Sequence, residues 1–467
     1  MGHPTIAVLG VRPYFFAAVP VTVLGGILLF EQGRWLWHRR HRRRAIERHW
    51  EFIDGQMKEV EEVENVNEAE EEEGLEPANP DETRKAVALS RASMGFWRQK
   101  FYTSLNFAGR FVNPFLEWRD KNATNIWEYV RWQLTRHNRN GVPKDDKVLA
   151  ESLPTVQPNW ELLQNFHNRS SVEDLDASWI TLPSNGSRPS MTVTWFGQST
   201  CLVQMDGYNI LTDPIFSSRT VGNWLGPRRL RPVPCNLSDL PKIDIVLVSH
   251  DHYDHLDRAV VKELGNSVTW YIPLGLRDWF GSHGVTNVVE LDWWEERLHE
   301  NTLRIVGTPI QHWSGRHFFD VNRTLWCSFV VKGPTSSFFH CGDTGYCTAF
   351  KEIGRKYGPI TLAALRKFFS NLDDTSLLGL IASIAIGAYE PRWFLRHQHV
   401  DPDEACQIHT DLNASYSIGV HWGTFMMSDE HYLDPPKYLE ESRIRRNLAE
   451  GTVFTSRLGE TVCIPQL

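Results

Sequence analysis

The sequence predicts a layered α/β fold that follows a membrane helix at the N-terminus. From Met191 onward, short apolar runs such as MTVTWF, IDIVLVSH and LRIVGTP are bounded by turn residues, which is typical of strands. Helical segments such as RAVVKEL and DEACQIHT lie between or after these runs, and this order favours packed layers of sheet and helix. Near the start of the chain, Pro13–Phe30 carries no charge at all.

Residues 1–45 are predicted to form a membrane anchor. Extended back past Arg12 to Ile6, the apolar run is long enough to cross a bilayer of about 30 Å as a transmembrane helix. A basic block follows, at Arg34, Arg39, Arg40, Arg42, Arg43 and Arg44. The positive-inside rule then leaves the bulk of the protein on the cytosolic side, whereas the acid-free start also fits a mitochondrial presequence. We expect an intracellular, membrane-anchored protein of the mitochondrial inner membrane or the endoplasmic reticulum.

The rest of the chain divides into three segments. Residues 46–95 contain the acidic run EVEEVENVNEAEEEEGLEP and are expected to be a disordered linker. Residues 96–190 carry aromatic side chains at irregular spacing and are expected to be an extension that packs on the core. Residues 191–467 are the expected catalytic domain. The seven cysteines are scattered and form no CxxC pair, which indicates free thiols in a reducing compartment.

The overall composition narrows the class of protein. Apolar residues make up 41% of the chain and charged residues 23%, values that are ordinary for a globular enzyme. The 57 acidic residues outnumber the 49 basic ones, which gives a net charge of −8. A general nucleic-acid binder carries the opposite balance, so no nucleic-acid partner is expected.

The strongest chemical motif is HDHYDH, which contains His250, His252, Asp254 and His255. It comes directly after the apolar strand IDIVLVS, where the chain enters a loop and successive side chains can converge on one point. Imidazole nitrogen and carboxylate oxygen are ligands suited to zinc and similar divalent ions. The motif therefore predicts a metal site.

Six residues cannot complete a two-metal site, so further ligands are expected at the ends of other strands. His312 in TPIQHW, Asp343 in HCGDTG and His421 in SIGVHW each follow an apolar run. A single histidine at a strand end is more often structural than a ligand. Taken together, in this order after HxHxDH, the three residues form one pattern.

That pattern resembles the metallo-β-lactamase superfamily. The motifs DWWEE, GAYEPRW and QHVDP closely resemble one branch of it, the N-acyl-phosphatidylethanolamine-hydrolysing phospholipases D. The similarity runs from Gly109 to about Pro436. HxHxDH marks only the superfamily, whereas the other three motifs are specific to the branch. The resemblance implies a four-layer αββα sandwich and cleavage of a membrane lipid into N-acylethanolamine and phosphatidic acid.

The resemblance also implies two zinc ions and the residues that hold them. His250, His252 and His312 would bind one ion, Asp254, His255 and His421 the other, and Asp343 would bridge the two. Two metal ions about 3.5–4 Å apart can activate water at neutral pH and neutralise a phosphodiester as it gains charge. Asp254 and Asp343 are therefore expected to take part in catalysis.

Further residues are expected near the substrate. Gln398 and His399 of QHVDP match family positions beside it, and His399 is a candidate general acid or phosphate contact, with a structural role as the alternative. Tyr253 could hydrogen-bond to the substrate or pack within its loop. Asp257 is expected to orient a ligand imidazole. Arg392 fits a structural ion pair better than a phosphate contact.

The expected partners are a membrane phospholipid as substrate and the lipid bilayer. Four apolar residues are candidates for an acyl-chain channel, although core packing is the commoner role for each: Trp224, Leu225, Trp293 and Trp294. A homodimer would suit a peripheral lipid enzyme, but no residue in the sequence demonstrates one.

Two features depart from the family. Members usually read Gly-His-Ala-Thr where this chain has Gln198 after Gly197. Residues 365–383, LRKFFSNLDDTSLLGLIAS, interrupt what should be a single core strand, either as a looped-out insertion or as a translated non-coding segment. Two alternatives to a phospholipase D of this family therefore stay open. One is a hydrolase of the same fold that acts on another phosphodiester or a lactone, and the other is a non-catalytic, zinc-containing protein that organises membranes.

Overall fold

The structure is a computed structural model that describes Arg44 and residues 103–107, 109–115, 118, 126–135, 140–168, 189–222, 225–317, 319–358 and 380–465. The described strands are, in chain order, β1 Leu105–Phe107, β2 Arg110–Val112, β3 Pro189–Gly197, β4 Thr200–Met205, β5 Tyr208–Thr212, β6 Ile245–Leu247, β7 Thr269–Pro273, β8 Val288–Leu291, β9 Glu296–His299, β10 Leu303–Thr308, β11 Ser328–Lys332, β12 Ser337–His340, β13 Leu380–Ala385, β14 Tyr416–Val420, β15 Val453–Phe454 and β16 Thr461–Pro465.

The described α-helices are short and lie mostly between the later strands. They are α1 Ile126–Thr135, α2 Asp146–Ser152, α3 Trp160–Asn165, α4 Arg258–Leu264, α5 Arg277–Ser282, α6 Ala349–Tyr357, α7 Arg392–Leu395, α8 Pro402–Asp411 and α9 Asp434–Arg445. The apolar runs quoted above fall in strands, and RAVVKEL coincides with α4. The predicted α/β class is therefore confirmed.

Two mixed sheets of seven strands each carry the fold. The first has the order β16-β3-β4-β5-β6-β7-β8, and the second has the order β15-β14-β13-β12-β11-β10-β9. In the first sheet, β5 to β8 are parallel, and the remaining pairs are antiparallel. In the second sheet, β12 to β15 are parallel, and the pairs from β9 to β12 are antiparallel. Consequently β10, β12 and β14 end at the same edge.

Alternating side chains divide the first sheet between two hydrophobic cores. Ile245 and Leu247 of β6 join a core that also contains Phe329 and Phe339 of the second sheet. Their neighbour Val246 faces the other way, into a core formed with residues of α4 and α5. Because successive strand residues point to opposite faces, this arrangement places one sheet against the other. Residues of α6 and α8 also join the larger core, which gives the layer order helix, sheet, sheet, helix.

Part of the segment before the first sheet contributes to the same core. Phe111 in the hairpin of β1 and β2, and Phe115 after it, are buried in the larger core together with Leu149 and Leu153. Asn113, in the same segment, donates a hydrogen bond from Nδ2 to the carbonyl oxygen of His312, 2.7 Å away. The segment is thereby attached to the loop that carries a candidate ligand.

The predicted anchor at 1–45 and the predicted acidic linker at 46–95 lie outside the described residues, Arg44 excepted. Within the described part of the chain, no helix has both the length and the apolar character needed to cross a membrane. All seven cysteines lie in the described part of the chain and none of them forms a disulfide there, as predicted.

The last four residues of the possible insertion at 365–383 lie in a core strand. Leu380–Ser383 form the first part of β13, which pairs in parallel with β12 on one side and β14 on the other. These residues are apolar or small and wholly buried, so they supply the strand positions themselves. Residues 359–379 lie outside the described part. The strand that leads to Tyr389 is therefore continuous.

Candidate metal centre

The seven predicted ligands come together at one edge of the two sheets. The loop after β6 supplies His250, His252, Asp254 and His255, and the three others follow β10, β12 and β14. Ligand sites in open α/β sheets lie outside the carboxyl ends of the strands, where diverging loops leave a crevice. Shared strand direction therefore explains why residues distant in the sequence meet here.

Three imidazoles form the first group. Nε2 of His250 lies 2.8 Å from Nδ1 of His252, and Nε2 of His312 lies 3.3 Å from the same nitrogen. Two nitrogens bound to one zinc ion at about 2.1 Å are separated by roughly 3.4 Å when the geometry is tetrahedral. The three nitrogens thus have the convergence that a single ion requires.

Two carboxylates and two imidazoles form the second group. Oδ2 of Asp254 lies 3.4 Å from Nε2 of His255 and 3.4 Å from Nε2 of His421. Asp343 places Oδ2 3.2 Å from Nε2 of His255 and Oδ1 3.3 Å from Nε2 of His421. The same Oδ2 is 3.9 Å from Nε2 of His312 in the first group. Asp343 therefore lies between the groups and can bridge them.

The unpaired atoms and the charges of this cluster fit metal ions. Nε2 of His255 and Oδ1 of Asp343 are buried without a hydrogen-bond partner among the described residues, although buried polar atoms are nearly always paired. Burial lowers the pKa of His252 to about 4 and that of His312 to about 3, so both imidazoles are neutral and keep a lone pair. Burial disfavours the charged form of Asp343, but His255 and His421 hold its pKa well below its ordinary value. Two buried carboxylates therefore need compensating positive charge nearby, which metal ions would supply.

Asp213, at the end of β5, fixes the orientation of ligands in both groups. Its Oδ2 lies 2.8 Å from Nδ1 of His255 and 2.8 Å from Nε2 of His340. Ser249 donates to it through both the backbone nitrogen and Oγ, each at 2.6 Å, and Oγ of Ser249 lies 2.9 Å from Nδ1 of His250. Burial raises the pKa of Asp213, but His340 and His255 together lower it to about 2, so it stays an anionic acceptor.

The sequence prediction gave this orienting role to Asp257, and that prediction is wrong. Asp257 accepts hydrogen bonds from the backbone nitrogens of Phe216, Ser217 and Ala259, so it caps α4 and holds the loop after β5. Asp213 was missed, although it stands directly after a strand that pairs in parallel with β6. The signal that could have identified Asp213 is its position at the end of a strand next to the strand that precedes HDHYDH.

Gln398 acts on a ligand through its backbone. Its carbonyl oxygen lies 3.0 Å from Nδ1 of His312, which leaves Nε2 of that imidazole for the centre. The side chain is buried and accepts a hydrogen bond from Nε1 of Trp313 at 2.7 Å. Gln398 thus orients His312 in the structure, and its predicted contact with the substrate stays a prediction.

His399 lies beside both groups. Its Nδ1 is 3.7 Å from Oδ2 of Asp343, and its ring centroid is 5.4 Å from that of His312 and 5.6 Å from that of His421. The side chain is 12% exposed. Burial lowers the pKa of His399 to about 3, so the imidazole is neutral. Arg392 donates to the carbonyl oxygen of His399.

Arg392 forms the structural ion pairs that the sequence predicted. Its Nη2 lies 2.6 Å from Oε2 of Glu404, and its Nε lies 3.4 Å from Oδ2 of Asp401. Asp401 and Glu404 also form the capping box of α8. The loop that carries His399 is thus held between the end of α7 and the start of α8.

Tyr253 faces a cavity beside the metal loop. The guanidinium of Arg316 stacks 4.1 Å from the centroid of the Tyr253 ring and donates to the carbonyl oxygens of Asp251 and Leu256. The cavity has a volume of about 790 Å³, and Trp279 also lines it. Tyr253 therefore packs within its loop and reaches open space at the same time.

The candidates for an acyl-chain channel are dispersed. Trp293 is buried in the main core, where its Nε1 donates to the carbonyl oxygen of Trp326. Trp294 is partly buried and stacks on Tyr357, and Leu225 is half exposed. Trp224 lies outside the described residues. Trp293 and Trp294 thus take the packing role.

Gln198 occupies the turn between β3 and β4 and points into the second group. Its Nε2 lies 2.6 Å from Oδ2 of Asp254 and 2.6 Å from Nε2 of His421. The side chain is 1% exposed. The residue that departs from the family pattern thus touches two candidate ligands.

The chain is similar in sequence to one family model and to several known proteins. Residues 208–422 match the family model described as the Beta-lactamase superfamily domain. N-acyl-phosphatidylethanolamine-hydrolyzing phospholipase D 1 of Caenorhabditis elegans is 36% identical over 380 residues, which cover 78% of this chain and 94% of that protein. The mitochondrial N-acyl-phosphatidylethanolamine-hydrolyzing phospholipase D of Saccharomyces cerevisiae is 33% identical over 393 residues, which cover 78% and 77%. An uncharacterized protein of Mycobacterium tuberculosis is 38% identical over 262 residues, which cover 54% and 64%.

Proposed function

This chain belongs to the family of N-acyl-phosphatidylethanolamine-hydrolysing phospholipases D within the beta-lactamase superfamily, and from that premise we propose that it hydrolyses N-acyl-phosphatidylethanolamine to N-acylethanolamine and phosphatidic acid. The observation that carries the proposal is the pair of adjacent ligand groups with Asp343 between them. A phosphodiester is anionic and repels hydroxide, so its hydrolysis benefits from a site that concentrates positive charge.

Two zinc ions are the proposed cofactors. His250, His252 and His312 would hold the first, Asp254, His255 and His421 would hold the second, and Asp343 lies where it could serve both. When bound, the ions supply an activated water and positive charge for the phosphodiester. Asp213 and the carbonyl oxygen of Gln398 keep the ligand imidazoles in the tautomers that leave Nε2 of His255, His250 and His312 for metal.

His399 is the proposed contact to the phosphate. A neutral imidazole donates a hydrogen bond through its N–H group, and His399 stands beside Asp343 with part of its side chain exposed. From this position it can bind a phosphate oxygen or the oxygen that leaves with N-acylethanolamine. Tyr253 is the proposed second contact, because it stands between the candidate ligands His252 and Asp254 in the metal loop. The cavity that Tyr253 also faces is lined by none of the seven candidate ligands.

The proposal extends to the membrane. A lipid with long acyl chains rarely leaves its bilayer, so an enzyme that cleaves it gains from attachment there. Residues 1–45 are proposed as that attachment, on the strength of the apolar run and its basic flank. The yeast relative is named as a mitochondrial protein, and we propose the same organelle for this chain, at the inner membrane. We also propose that the protein forms a homodimer, because a dimer suits attachment to a membrane surface.

The test uses the full-length protein in mixed micelles with N-acyl-phosphatidylethanolamine. We expect release of N-acylethanolamine and phosphatidic acid that stops with a chelator and returns with Zn²⁺. Asp343→Asn should abolish release, because it removes the bridging charge, whereas Asp146→Asn on the exposed surface of α2 should leave it intact. A folded protein loaded with zinc that releases neither product would overturn the proposal. A panel of other phosphodiesters and lactones would then be tested. Hydrolysis of one of them would identify a different hydrolase, and no hydrolysis of any of them would favour the non-catalytic, membrane-organising role.

A further inference from the structure

We propose that Arg316 is a positioning residue that holds the metal loop, residues 250–256, in the shape that both ligand groups require. Arg316 is not a candidate ligand, and it lies in the segment after β10, four residues beyond His312. The inference rests on the proposed two-metal centre but not on the lipid substrate. It predicts an effect on metal affinity that both groups share, because the loop contributes ligands to each.

The metal loop has little backbone support of its own. It lies between β6 and α4 and is neither helix nor strand. Within it, the backbone nitrogens of His255 and Leu256 both donate to the carbonyl oxygen of His252, at 3.1 Å and 2.9 Å. A metal site requires its ligand atoms to be placed within about 0.2 Å of their ideal distances. Contacts from outside the loop must therefore help to fix its shape.

The guanidinium of Arg316 binds both ends of the loop. Its Nη1 donates to the carbonyl oxygens of Asp251 and Leu256, each 2.9 Å away, so the two bonds bracket the ligands between them. No other donor in the described part of the chain reaches either of these oxygens. Neither oxygen is a candidate ligand atom, so the bonds take no lone pair that a metal ion would need. A guanidinium also keeps its charge, and hydrogen bonds from a charged donor are stronger than neutral ones.

The same guanidinium also contacts the middle of the loop. Its Cζ lies 4.1 Å from the ring centroid of Tyr253 and 5.2 Å from that of Trp279 on α5. A cation over an aromatic face is attracted by the negative charge of that face. Arg316 therefore contacts the metal loop at its two ends and at its centre.

The segment that carries Arg316 is itself attached to the loop. Asp251 accepts a hydrogen bond at Oδ1 from the backbone nitrogen of Gly315, 2.6 Å away, and at Oδ2 from Oγ1 of Thr324, 3.1 Å away. The backbone nitrogen of Arg316 donates to Oδ1 of Asp320 at 3.0 Å. Each segment thus uses a side chain to bind the backbone of the other, and Arg316 has a fixed base from which to hold the loop.

Zn²⁺ binding to the full-length protein, stripped of metal and titrated against a chromogenic chelator, tests the inference. Arg316→Met keeps much of the apolar stem but removes the guanidinium. We expect both Zn²⁺ dissociation constants to rise about tenfold, which is the lower end of the loss seen when a residue that supports a ligand is removed. Should this variant not fold, Arg316→Gln replaces it, because its shorter side chain cannot reach both carbonyl oxygens.

Arg316→Lys tests whether the two hydrogen bonds carry the effect. Both bonds come from the single nitrogen Nη1, so an ammonium group, which has three N–H donors, can replace them. We expect both dissociation constants to return to within about threefold of the wild type. A loss in Arg316→Lys as large as that in Arg316→Met would overturn the inference, because the bonds to the loop would then not be the cause.

Arg443→Met is the matched control. Arg443 also donates through Nη1 to a backbone carbonyl oxygen, that of Leu448 at 2.8 Å, and its other contact is with Glu440 on the same helix, α9. This variant should lose thermal stability while both Zn²⁺ constants stay within about twofold of the wild type. Zinc constants for Arg316→Met that match the wild type overturn the inference. Equal weakening in Arg443→Met overturns it as well, because any loss of stability would then weaken the centre.

The same experiment separates this inference from the proposed function. If the wild type binds two Zn²⁺ ions, Arg316→Met weakens both and no lipid is cleaved, the substrate assignment fails while the role of Arg316 stands. If lipid is cleaved and Arg316→Met binds Zn²⁺ like the wild type, the role of Arg316 fails while the substrate assignment stands.

Discussion

Nδ1 of His255 lies 2.8 Å from Oδ2 of Asp213, and both side chains are completely buried. The same carboxylate reaches His250 through Ser249, so one anion fixes the tautomer of a ligand in each metal group. It lies at the end of β5, which pairs in parallel with β6. Asp213 thus connects the end of a strand in the first sheet to a ligand imidazole of each metal group.

Asp213→Asn should therefore weaken metal binding. An amide retains one acceptor oxygen but presents an NH₂ group that cannot accept from His255, His340 and Ser249 together, and it lacks the charge that orients the imidazoles. We expect a 10- to 100-fold loss of Zn²⁺ affinity. A free energy of unfolding lower by about 1–3 kcal/mol should accompany it, because buried polar groups lose their partners. Chelator competition and urea unfolding of the metal-free protein measure the two effects.

Asp257→Asn provides the contrasting prediction. The amide of Asn keeps one acceptor oxygen for the cap of α4 but loses the Oδ2 that accepts from the backbone nitrogens of Phe216 and Ser217, so the substitution should lower the free energy of unfolding by about 1–3 kcal/mol. Zn²⁺ affinity should stay within about twofold of the wild type. A tenfold loss of affinity in this variant would instead support the role that the sequence alone predicted for Asp257.

Removal of metal should lower the melting temperature of the whole described domain. A ligand that binds only the folded state at a concentration 100 times its dissociation constant stabilises by about 2.7 kcal/mol. For a domain of this size that corresponds to a shift of roughly 5 °C. Thermal unfolding with and without a chelator, followed by return of Zn²⁺, measures the shift. Asp343→Asn should show a much smaller difference between the two conditions, and an equal difference would mean that the stabilising ion binds elsewhere.

The fold and the candidate ligands could be predicted because each depends on local sequence. Short apolar runs specify β6 and β10, and the candidate ligands are the polar side chains in the loops that follow these strands. The supporting contacts could not be predicted, because they depend on register between strands. Asp213 meets His255 only through the pairing of β5 with β6, and Gln398 meets His312 only because the α7–α8 loop packs on the end of β10.

The continuity of β13 could not be predicted from the sequence for a related reason. Leu380–Ser383 read as the end of an interrupting segment, since the resemblance placed the strand break there. Burial and two parallel neighbours decide the matter in favour of a strand, and neither is visible in a single sequence. Gln198 is similar, because a change from the family pattern shows that a site differs but not which atoms the new side chain touches.

The link between α8 and α9 predicts a dependence of stability on pH. Asp403 lies 2.6 Å from Nη2 of both Arg445 and Arg446, and its hydrogen bond to Arg446 is the largest cause that lowers its pKa from 3.8 to about 2. A depressed pKa stabilises the folded state above about pH 4, and the contribution is lost as the pH falls towards 2. Asp403→Asn should thus lower the free energy of unfolding at pH 7 by less than about 1 kcal/mol, since the pair is partly exposed, and by less still at pH 3. Urea unfolding at both values measures it, and an equal loss at both would show that charge is not the cause.

His399→Ala should separate catalysis from metal binding. The side chain stands 3.7 Å from Oδ2 of Asp343 but is not one of the converging ligands, so the variant should still bind two Zn²⁺ ions with near-normal affinity. Loss of one donor to a developing negative charge typically lowers kcat by roughly 100-fold, and we expect a loss of that order with a small change in KM. His317→Ala, an exposed histidine beside Asp320, is the matched control and should leave kcat unchanged. Metal analysis and steady-state hydrolysis of N-acyl-phosphatidylethanolamine measure both quantities. If His399→Ala loses a metal ion together with activity, the residue is a ligand of the centre and its assignment as a phosphate contact is wrong.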